Sequence, residues 1–335
     1  MSTLLRRLRP DPYVLALLAT VGVAALVPAS GAGATVADGV TDVAIAGLFF
    51  LYGARLSSRA VLDGLKHWRL HVVVFLCTFA LFPLLGLGAN LLVPVVLTPA
   101  LYSGVLFLCT LPSTVQSSIA FTATAGGNVA SAICSASLSN MAGIALTPLL
   151  VALLMGGDGG GISASSVLSL VFQLLLPFVV GHLSRRWIGD GIERHKKVLS
   201  YYDRGSILLI VYVAFSKSMA GGIWQQIGVL QLAALFAVIA VLLTAVLLIT
   251  RGAARVLGFD RGDEKAIVFC GSVKSLATGL PIANVLFPST MVGLVVLPVM
   301  LYHLTQLIVC AVLAQRQGSA AEPQRAPEPE VAAAR

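Results

Sequence analysis

Long apolar runs recur along nearly the whole of this 335-residue chain, and they limit its fold more than any other feature. Many of them reach the roughly 20 residues that an α-helix needs to cross a lipid bilayer. They are continuously apolar rather than alternating, which excludes a transmembrane β-barrel. Only 11% of the residues are charged, against about 25% in soluble domains. Most of the surface is therefore predicted to face lipid.

The runs predict an all-α polytopic membrane protein with ten transmembrane helices in two inverted five-helix repeats. Because five is an odd number, the second repeat must enter the membrane from the opposite side. We assign residues 1–157 to the first repeat, 158–318 to the second, and 319–335 to a disordered cytoplasmic tail rich in Ala, Pro and Glu. The predicted spans, numbered one to ten, cover residues 13–29, 40–56, 70–93, 98–125, 128–155, 164–186, 203–221, 226–256, 263–287 and 289–315.

The distribution of charge predicts the orientation of the chain. The net charge is +8, but the basic residues form short clusters between spans, which argues against a nucleic-acid partner. Of the 22 Lys and Arg residues, all but two fall in segments that a cytoplasmic N-terminus places inside the cell. No outer loop holds a Lys or Arg residue, and the outer side carries the acidic residues Asp38, Asp42 and Asp158 instead. The positive-inside rule thus predicts a multi-pass protein of the plasma (inner) membrane with both termini in the cytoplasm.

The two remaining basic residues, Lys217 and Lys274, lie inside apolar spans, where a charge costs about 2.5–3.5 kcal/mol on insertion scales. Lys217 is near the outer end of span seven, and its long side chain is expected to reach the outer interface. Lys274 lies in the middle of span nine between Ser272 and Ser275, and it is a candidate functional residue.

Spans four and nine are both interrupted by helix breakers and polar residues. Pro112 in span four removes a backbone donor, and Gly271 and Pro281 weaken span nine. Broken helices at matching positions of inverted halves point to a substrate site near the midplane, where half-helix ends offer partial charges. Kinks and hydroxyls that bond within their own helix are the alternative explanation. The segment Thr114-Val115-Gln116-Ser117 parallels Ser272-Val273-Lys274-Ser275.

Three other spans contribute weaker candidates. Ser131 and Ser135 in span five share one helix face, and they either line a cavity or let helices approach closely. His303 lies three residues before Gln306 in span ten, and a membrane histidine is often a hydrogen-bonded core residue. The predicted substrate- and ion-binding residues are Thr78, Ser113, Thr114, Gln116, Ser117, Ser118, Asn128, Ser131, Ser135, Ser272, Lys274, Ser275 and His303.

Three segments resemble the bile acid:sodium symporter family, in a divergent symporter-like branch of the cation/proton antiporter superfamily. They are Gly127-Asn128-Val129-Ala130, Leu146-Thr147-Pro148, and Lys265-Ala266-Ile267 with Ser275-Leu276-Ala277 further along. The resemblance extends over residues 10–315. It implies a panel domain and a core domain, with helices four and nine crossing in the core. In sodium-coupled members, two sodium ions bind beside that crossing, and their ligands include a glutamate of helix nine.

The chain departs from that ion-binding pattern. The glutamate position falls on Val268 or Cys270, and Thr78 replaces a glutamine of helix three. The serines of spans four and five are only partial matches. None of the 14 acidic residues lies in the middle of a predicted span. A bound sodium ion would therefore lack a neutralising carboxylate, so we predict no cofactor and regard a sodium site as weakly supported.

These departures lead to a hypothesis for Lys274. Its ammonium is predicted to occupy the space of a sodium ion and to meet hydroxyl or amide groups of span four: Ser113, Thr114, Gln116, Ser117 or Ser118. The alternative is a structural lysine whose ammonium is satisfied by backbone carbonyls. Sodium, a proton carried by the lysine, and the absence of a coupling ion all remain compatible with the residues.

The leading functional prediction is a secondary active transporter that moves an organic anion or a similar solute by alternating access. Its partners are a small anionic solute and the bilayer, and the sequence gives no indication of oligomeric state. The alternative is a membrane-embedded regulatory or ion-homeostasis protein that transports nothing. An enzyme is not expected, because no His, Cys and carboxylate cluster has catalytic spacing. The five cysteines all lie in apolar spans, so neither a disulfide nor a metal site is predicted.

Overall fold

The structure is a computed structural model that describes residues 12–55, 67–155, 164–220, 228–288 and 290–319. All regular structure in these ranges is helical, and they contain no strand. They include a π-helical turn at Cys77–Leu81 and a 3₁₀ turn at Ala89–Leu92. The helices are α1 (Pro12–Leu26), α2 (Gly31–Arg55), α3 (Trp68–Leu76), α4 (Phe82–Gly88), α5 (Pro99–Thr110), α6 (Val115–Thr124), α7 (Val129–Met155), α8 (Ala164–Arg194), α9 (Lys196–Ala220), α10 (Val229–Val256), α11 (Arg261–Ser272), α12 (Leu276–Leu286) and α13 (Val292–Ser319).

Seven helical segments of the described ranges are long and apolar enough to cross a membrane. Helices α5 and α6 together have the length and apolar character of a further span, but their axes differ by 66°, so the pair forms either a broken span or a re-entrant loop. The prediction of an all-helical, multi-pass membrane protein is confirmed. The seven segments are Gly31–Arg55, Trp68–Leu92, Val129–Met155, Lys196–Lys217, Val229–Val256, Arg261–Leu286 and Val292–Gly318.

Two helices begin well before the apolar runs that predicted them. Helix α2 begins at Gly31 rather than at residue 40, and α9 begins at Lys196 rather than at residue 203. Hydropathy marks only the part of a helix that lies in the hydrocarbon, whereas the helix itself continues through polar residues near the headgroups.

Outside the described residues lie the glycine-rich loop at 156–161, the basic cluster before residue 12 and the tail after residue 319.

The helices form two packed groups. In the first group, α2 packs against α8 and α9, and α1 packs against α9; the remaining helices pack around α11, α5 and α13. Glycines permit the close contact of α2 with α8, because a Cβ at Gly53 would overlap the carbonyl of Phe178 and one at Gly181 would overlap that of Phe50. Helix α9 contacts α12 and α13, and α8 contacts α7, so the two groups meet along these helices.

The segment Arg261–Leu286 is the buried centre of the protein. In the apolar 18-residue stretch of this segment, 94% of the residues are buried inside the protein, against 28–50% in the corresponding stretches of the other six segments. A helix surrounded by protein rather than lipid tolerates breaks and polar residues, because neighbouring helices satisfy the freed backbone groups. This position explains how span nine accommodates Lys274 and an interrupted backbone.

Candidate functional site

The break in span four separates α5 from α6. The N–H group of Leu111 still donates to the carbonyl of Leu108, but the chain then becomes extended (φ −71°, ψ 152° at Leu111). Pro112 provides no N–H group, so the helical hydrogen-bond ladder cannot continue. Helix α6 begins again at Val115 after the extended residue Thr114 (φ −81°, ψ 125°).

The break in span nine separates α11 from α12 and is one residue shorter. Val273 and Ser275 are both extended, with ψ angles of 148° and 107°. Ser275 caps α12, because its hydroxyl accepts a hydrogen bond from the N–H of Thr278 at 3.2 Å. The sequence prediction of two broken spans therefore agrees with the backbone of the described residues.

The two breaks contact each other directly. The N–H of Ser275 donates to the carbonyl of Pro112 at 2.9 Å. In the other direction, the hydroxyl of Thr114 donates to the carbonyl of Lys274 at 2.7 Å. Buried backbone groups need hydrogen-bond partners, and each break supplies them to the other. The pair of contacts locks spans four and nine together at the centre of the protein.

The Lys274 side chain is 1% exposed and lies at this contact. Its ammonium donates to the backbone carbonyls of Thr78 (3.0 Å), Cys109 (3.2 Å) and Leu111 (2.5 Å). It also lies 3.9 Å from the ring centroid of Phe82, within the range of a cation–π interaction. A lysine ammonium has three donors, and the three carbonyls match all of them.

The prediction that the Lys274 ammonium contacts side-chain hydroxyl or amide groups of span four was wrong. The alternative, an ammonium bound by backbone carbonyls, describes the observed geometry. The ammonium lies at span four as predicted, but it contacts the backbone at the C-terminal end of α5 rather than the side chains of α6. The C-terminal end of a helix carries a negative partial charge. The ammonium therefore occupies the end of α5 that favours a cation.

Two of these carbonyls are free because a normal helical partner is missing. For Thr78, the N–H of Phe82 donates instead to Cys77, and the next residue, Pro83, has no N–H group. For Cys109, the N–H of Ser113 four residues on donates to the hydroxyl of Ser139 at 3.1 Å. The backbone thus presents acceptors that no neighbouring amide satisfies.

Gln306 of α13 holds the Lys274 backbone and was missing from the predicted site. Its side-chain carbonyl accepts from the N–H of Lys274 at 2.8 Å, and its amide donates to the Lys274 carbonyl at 2.9 Å. The same amide lies 3.0 Å from Nδ1 of His303. The three-residue spacing of His303 and Gln306 was the available signal, because it places both on one helix face. His303 therefore contacts Gln306, which in turn holds the backbone of Lys274.

The hydroxyl residues of span four have different environments. Ser113 and Ser118 are fully buried with their hydroxyl oxygens 3.2 Å apart. Ser117 is also buried, and its hydroxyl oxygen has no hydrogen-bond partner among the described residues. Gln116 is exposed. In span nine, the hydroxyl of Ser272 lies 3.2 Å from that of Thr250 on α10.

The remaining predicted residues belong to other contacts. Asn128 donates to the carboxylate of Asp263 at 2.8 Å and accepts from the N–H of Ser131 at 3.0 Å, which ties α7 to the first turn of α11. The hydroxyl of Ser135 lies 2.6 Å from Nδ1 of His71 on α3. Thr78 uses its hydroxyl within its own helix, at 2.8 Å from the carbonyl of Val74, so only its backbone reaches Lys274. These contacts favour helix packing as the role of these side chains.

The second intramembrane lysine has an acidic partner. The ammonium of Lys217 lies 2.7 Å from the carboxylate of Asp38, and the two side chains are 27% and 39% exposed. Asp38 was expected in an outer loop, but it lies on α2. An ion pair at this exposure is a surface contact of α2 and α9.

Together, the helical architecture and the contacting broken spans define a class: a multi-pass membrane transporter. The sequence profile of the SBF-like CPA transporter family matches residues 11–318, and the chain belongs to this family. It is a transporter of the bile acid:sodium symporter type rather than an enzyme.

Relatives of similar length support the assignment. An uncharacterized protein of Pseudomonas aeruginosa is 53% identical over 311 residues, which cover 92% of this chain and 93% of that protein. "Putative symporter YfeH" of Escherichia coli is 51% identical over 306 residues, covering 91% and 92% of the two chains. "Sodium/bile acid cotransporter 7" of Rattus norvegicus is 29% identical over 320 residues, covering 92% and 93%.

Proposed function

We propose that this chain is a secondary active transporter that carries a small organic anion across the plasma membrane by alternating access. The observation that carries the proposal is the first turn of α6. Thr114 directs its hydroxyl to the Lys274 carbonyl, so α6 has no side-chain cap. In the same turn, the buried hydroxyl of Ser117 has no hydrogen-bond partner among the described residues.

An uncapped helix N-terminus attracts an anion, because its free N–H groups point outward and its end carries a positive partial charge. The hydroxyl of Ser117 adds a donor of the kind that binds a carboxylate oxygen. Gln116 in the same turn is exposed, and Thr114 and Val115 are half-buried, so this end of α6 reaches the surface of the protein. The proposal requires this surface to open to the solute in one of the transport states. The fixed charge of Lys274 lies on the other side of the break and favours an anion further.

The two packed groups of helices provide the moving parts. We assign α1, α2, α8 and α9 to a panel domain and the remaining helices to a core domain. In this proposal, the chain has ten spans, its halves (1–157 and 158–318) are inverted repeats, and both termini are cytoplasmic. Alternating access then requires rocking of one group against the other around a site at the broken spans.

The residues at the glutamate position do not favour a sodium ion as the coupling ion. Val268 is 5% exposed, and Cys270 is fully buried with its sulfur 3.6 Å from the carbonyl of Ala132. Neither side chain neutralises a cation. We therefore propose transport without the sodium ligands of the sodium-coupled relatives.

Counterflow in proteoliposomes tests the proposal. Vesicles loaded with an unlabelled bile acid or short monocarboxylate are diluted into the same labelled compound, and a transporter accumulates label transiently. We expect Ser117→Ala to raise the half-saturating concentration about fivefold, the equivalent of one hydrogen bond of about 1 kcal/mol.

Ser103→Ala is the matched control for this substitution. Ser103 lies on α5 of the same span, but its hydroxyl already donates to the carbonyl of Pro99 at 3.0 Å. We expect its half-saturating concentration to equal that of the wild type. Equal effects of the two substitutions would contradict the anion site at α6. An absence of accumulation for every probe would favour the regulatory alternative.

A further inference from the structure

We infer that Lys274 is a built-in cation: its ammonium fills a backbone site that binds a primary ammonium ion from solution when this side chain is removed. The inference concerns the same crossing as the proposed transport function. It stands apart from transport, however, because its test measures the stability of the purified protein.

The ammonium is surrounded by ligands in the way that a bound cation is. Three carbonyl oxygens lie at 2.5–3.2 Å from the nitrogen. They come from the π-helical turn after α3 and from the end of α5, two segments separated by about 30 residues of sequence. The face of Phe82 lies against the ammonium at 3.9 Å from the ring centroid, and aromatic faces attract cations.

The site is built from backbone groups and therefore remains when Lys274 is shortened. Pro83 and the Ser113–Ser139 contact free two of the carbonyls, and neither feature depends on the lysine side chain. The Lys274 backbone is held separately by Gln306 and Thr114. Truncation thus leaves a cavity that is lined by carbonyl oxygens at one end and that has the shape of the lost side chain.

Among the residues that the structure describes, no carboxylate pairs with this positive charge. The acidic side chains nearest to it along span nine are Asp263 and Glu264, in the first turn of α11. They lie about 15 Å away by helix rise, at 1.5 Å per residue. Asp263 is bound to Asn128 and Glu264 to Arg251 and Arg255. The carbonyl oxygens and the end of α5 therefore stabilise the ammonium, and any replacement cation must use the same groups.

Chemical rescue tests this inference. Lys274→Ala removes three methylene groups and the ammonium, which together correspond to n-propylammonium. We expect this variant to melt several degrees below the wild type. Saturating n-propylammonium chloride should raise its Tm by about 2 °C or more, since a ligand that binds only the folded state stabilises it. n-Propyltrimethylammonium chloride has the same charge but no N–H donor, and it should have no such effect.

Three controls separate binding from a general salt effect. The wild type and Lys274→Met, in which the methionine fills the space, should not respond to n-propylammonium. Lys217→Ala removes the other intramembrane lysine and should not respond either, because Lys217 pairs with Asp38 instead of carbonyls.

Two results would overturn the inference. One is a Tm of Lys274→Ala that n-propylammonium raises no more than its trimethyl analogue does. The other concerns Lys274→Gln, which is measured if Lys274→Ala cannot be purified. The glutamine side chain has two N–H donors and no charge. A Tm of Lys274→Gln equal to or above that of the wild type would show that the three carbonyls do not need a cation.

Discussion

The two broken spans meet at one point but contribute different chemistry to it. Span four supplies mainly acceptors: the carbonyls of Cys109 and Leu111 for the ammonium, and that of Pro112 for the Ser275 amide. Span nine supplies mainly donors, the Lys274 ammonium and the Ser275 N–H, and its Lys274 carbonyl accepts from the hydroxyl of Thr114. Their shapes differ as well, since α5 and α6 are bent by 66° whereas Arg261–Leu286 continues as one buried span.

The difference indicates a division of roles. Every polar group of Lys274 has a partner, and its backbone is held from two sides by Gln306 and Thr114. Span nine is therefore the fixed part of the crossing. Span four is open on one side, where Gln116 is exposed and the Ser117 hydroxyl has no hydrogen-bond partner within the described ranges. A solute is expected to bind at the polar groups of span four that lack hydrogen-bond partners, and not at Lys274 of span nine, whose polar groups all have them.

The largest expected effect comes from removing the donor that joins the spans. Lys274→Met keeps all but the terminal atom of the side-chain length but leaves three buried carbonyls without a partner, at roughly 1–3 kcal/mol each. Relief from burying a charge offsets part of this loss. We expect a decrease of about 3 kcal/mol in the free energy of unfolding, measured by denaturation of the detergent-solubilised protein. A variant as stable as the wild type would show that span nine does not depend on the charge.

The sequence predicted a multi-pass helical protein and the two breaks at its centre, because hydropathy, Pro112 and the polar clusters mark them directly, whereas the count of ten spans stays a prediction. It also predicted the internal parallel of the two breaks, but in the wrong register. When the observed breaks are aligned, the C-terminal caps Leu111 and Val273 correspond, and so do the N-caps Thr114 and Ser275. The apparent match of Gln116 with Lys274 therefore placed an exposed residue of α6 in the site.

The partners of Lys274 had no side-chain signature in the sequence. Backbone carbonyls are present at every residue, and only the absence of a competing amide makes one available. The segment from Cys77 to Pro83 contains that information in its proline, but the π-helical turn that frees the carbonyl of Thr78 depends on the three-dimensional structure. The prediction named side-chain hydroxyls because residue types can be read directly from the sequence. The actual ligands were main-chain atoms.

A smaller effect is expected when the Lys274 backbone loses its hydrogen bonds to Gln306 while the ammonium is kept. Gln306→Leu leaves the buried N–H of Lys274 without a partner, while the Lys274 carbonyl keeps the hydroxyl of Thr114. We expect a loss of about 2 kcal/mol in the same denaturation measurement. Thr305→Val on the same helix is the control, because its hydroxyl donates within α13, to the carbonyl of Leu301. Equal losses in the two variants would mean that Gln306 acts through α13 alone.

The smallest effects distinguish the filled and open sides of span four. Thr114→Val removes one hydrogen bond of 2.7 Å to the Lys274 carbonyl, and we expect it to cost about 1 kcal/mol of stability. Ser117→Ala removes a buried hydroxyl that has no hydrogen-bond partner among the described residues, and its stability should stay within about 0.5 kcal/mol of the wild type. Denaturation and counterflow should therefore rank the two variants in opposite order. If Ser117→Ala were instead the more destabilised variant, its hydroxyl would have a structural partner, and the anion would have to bind elsewhere.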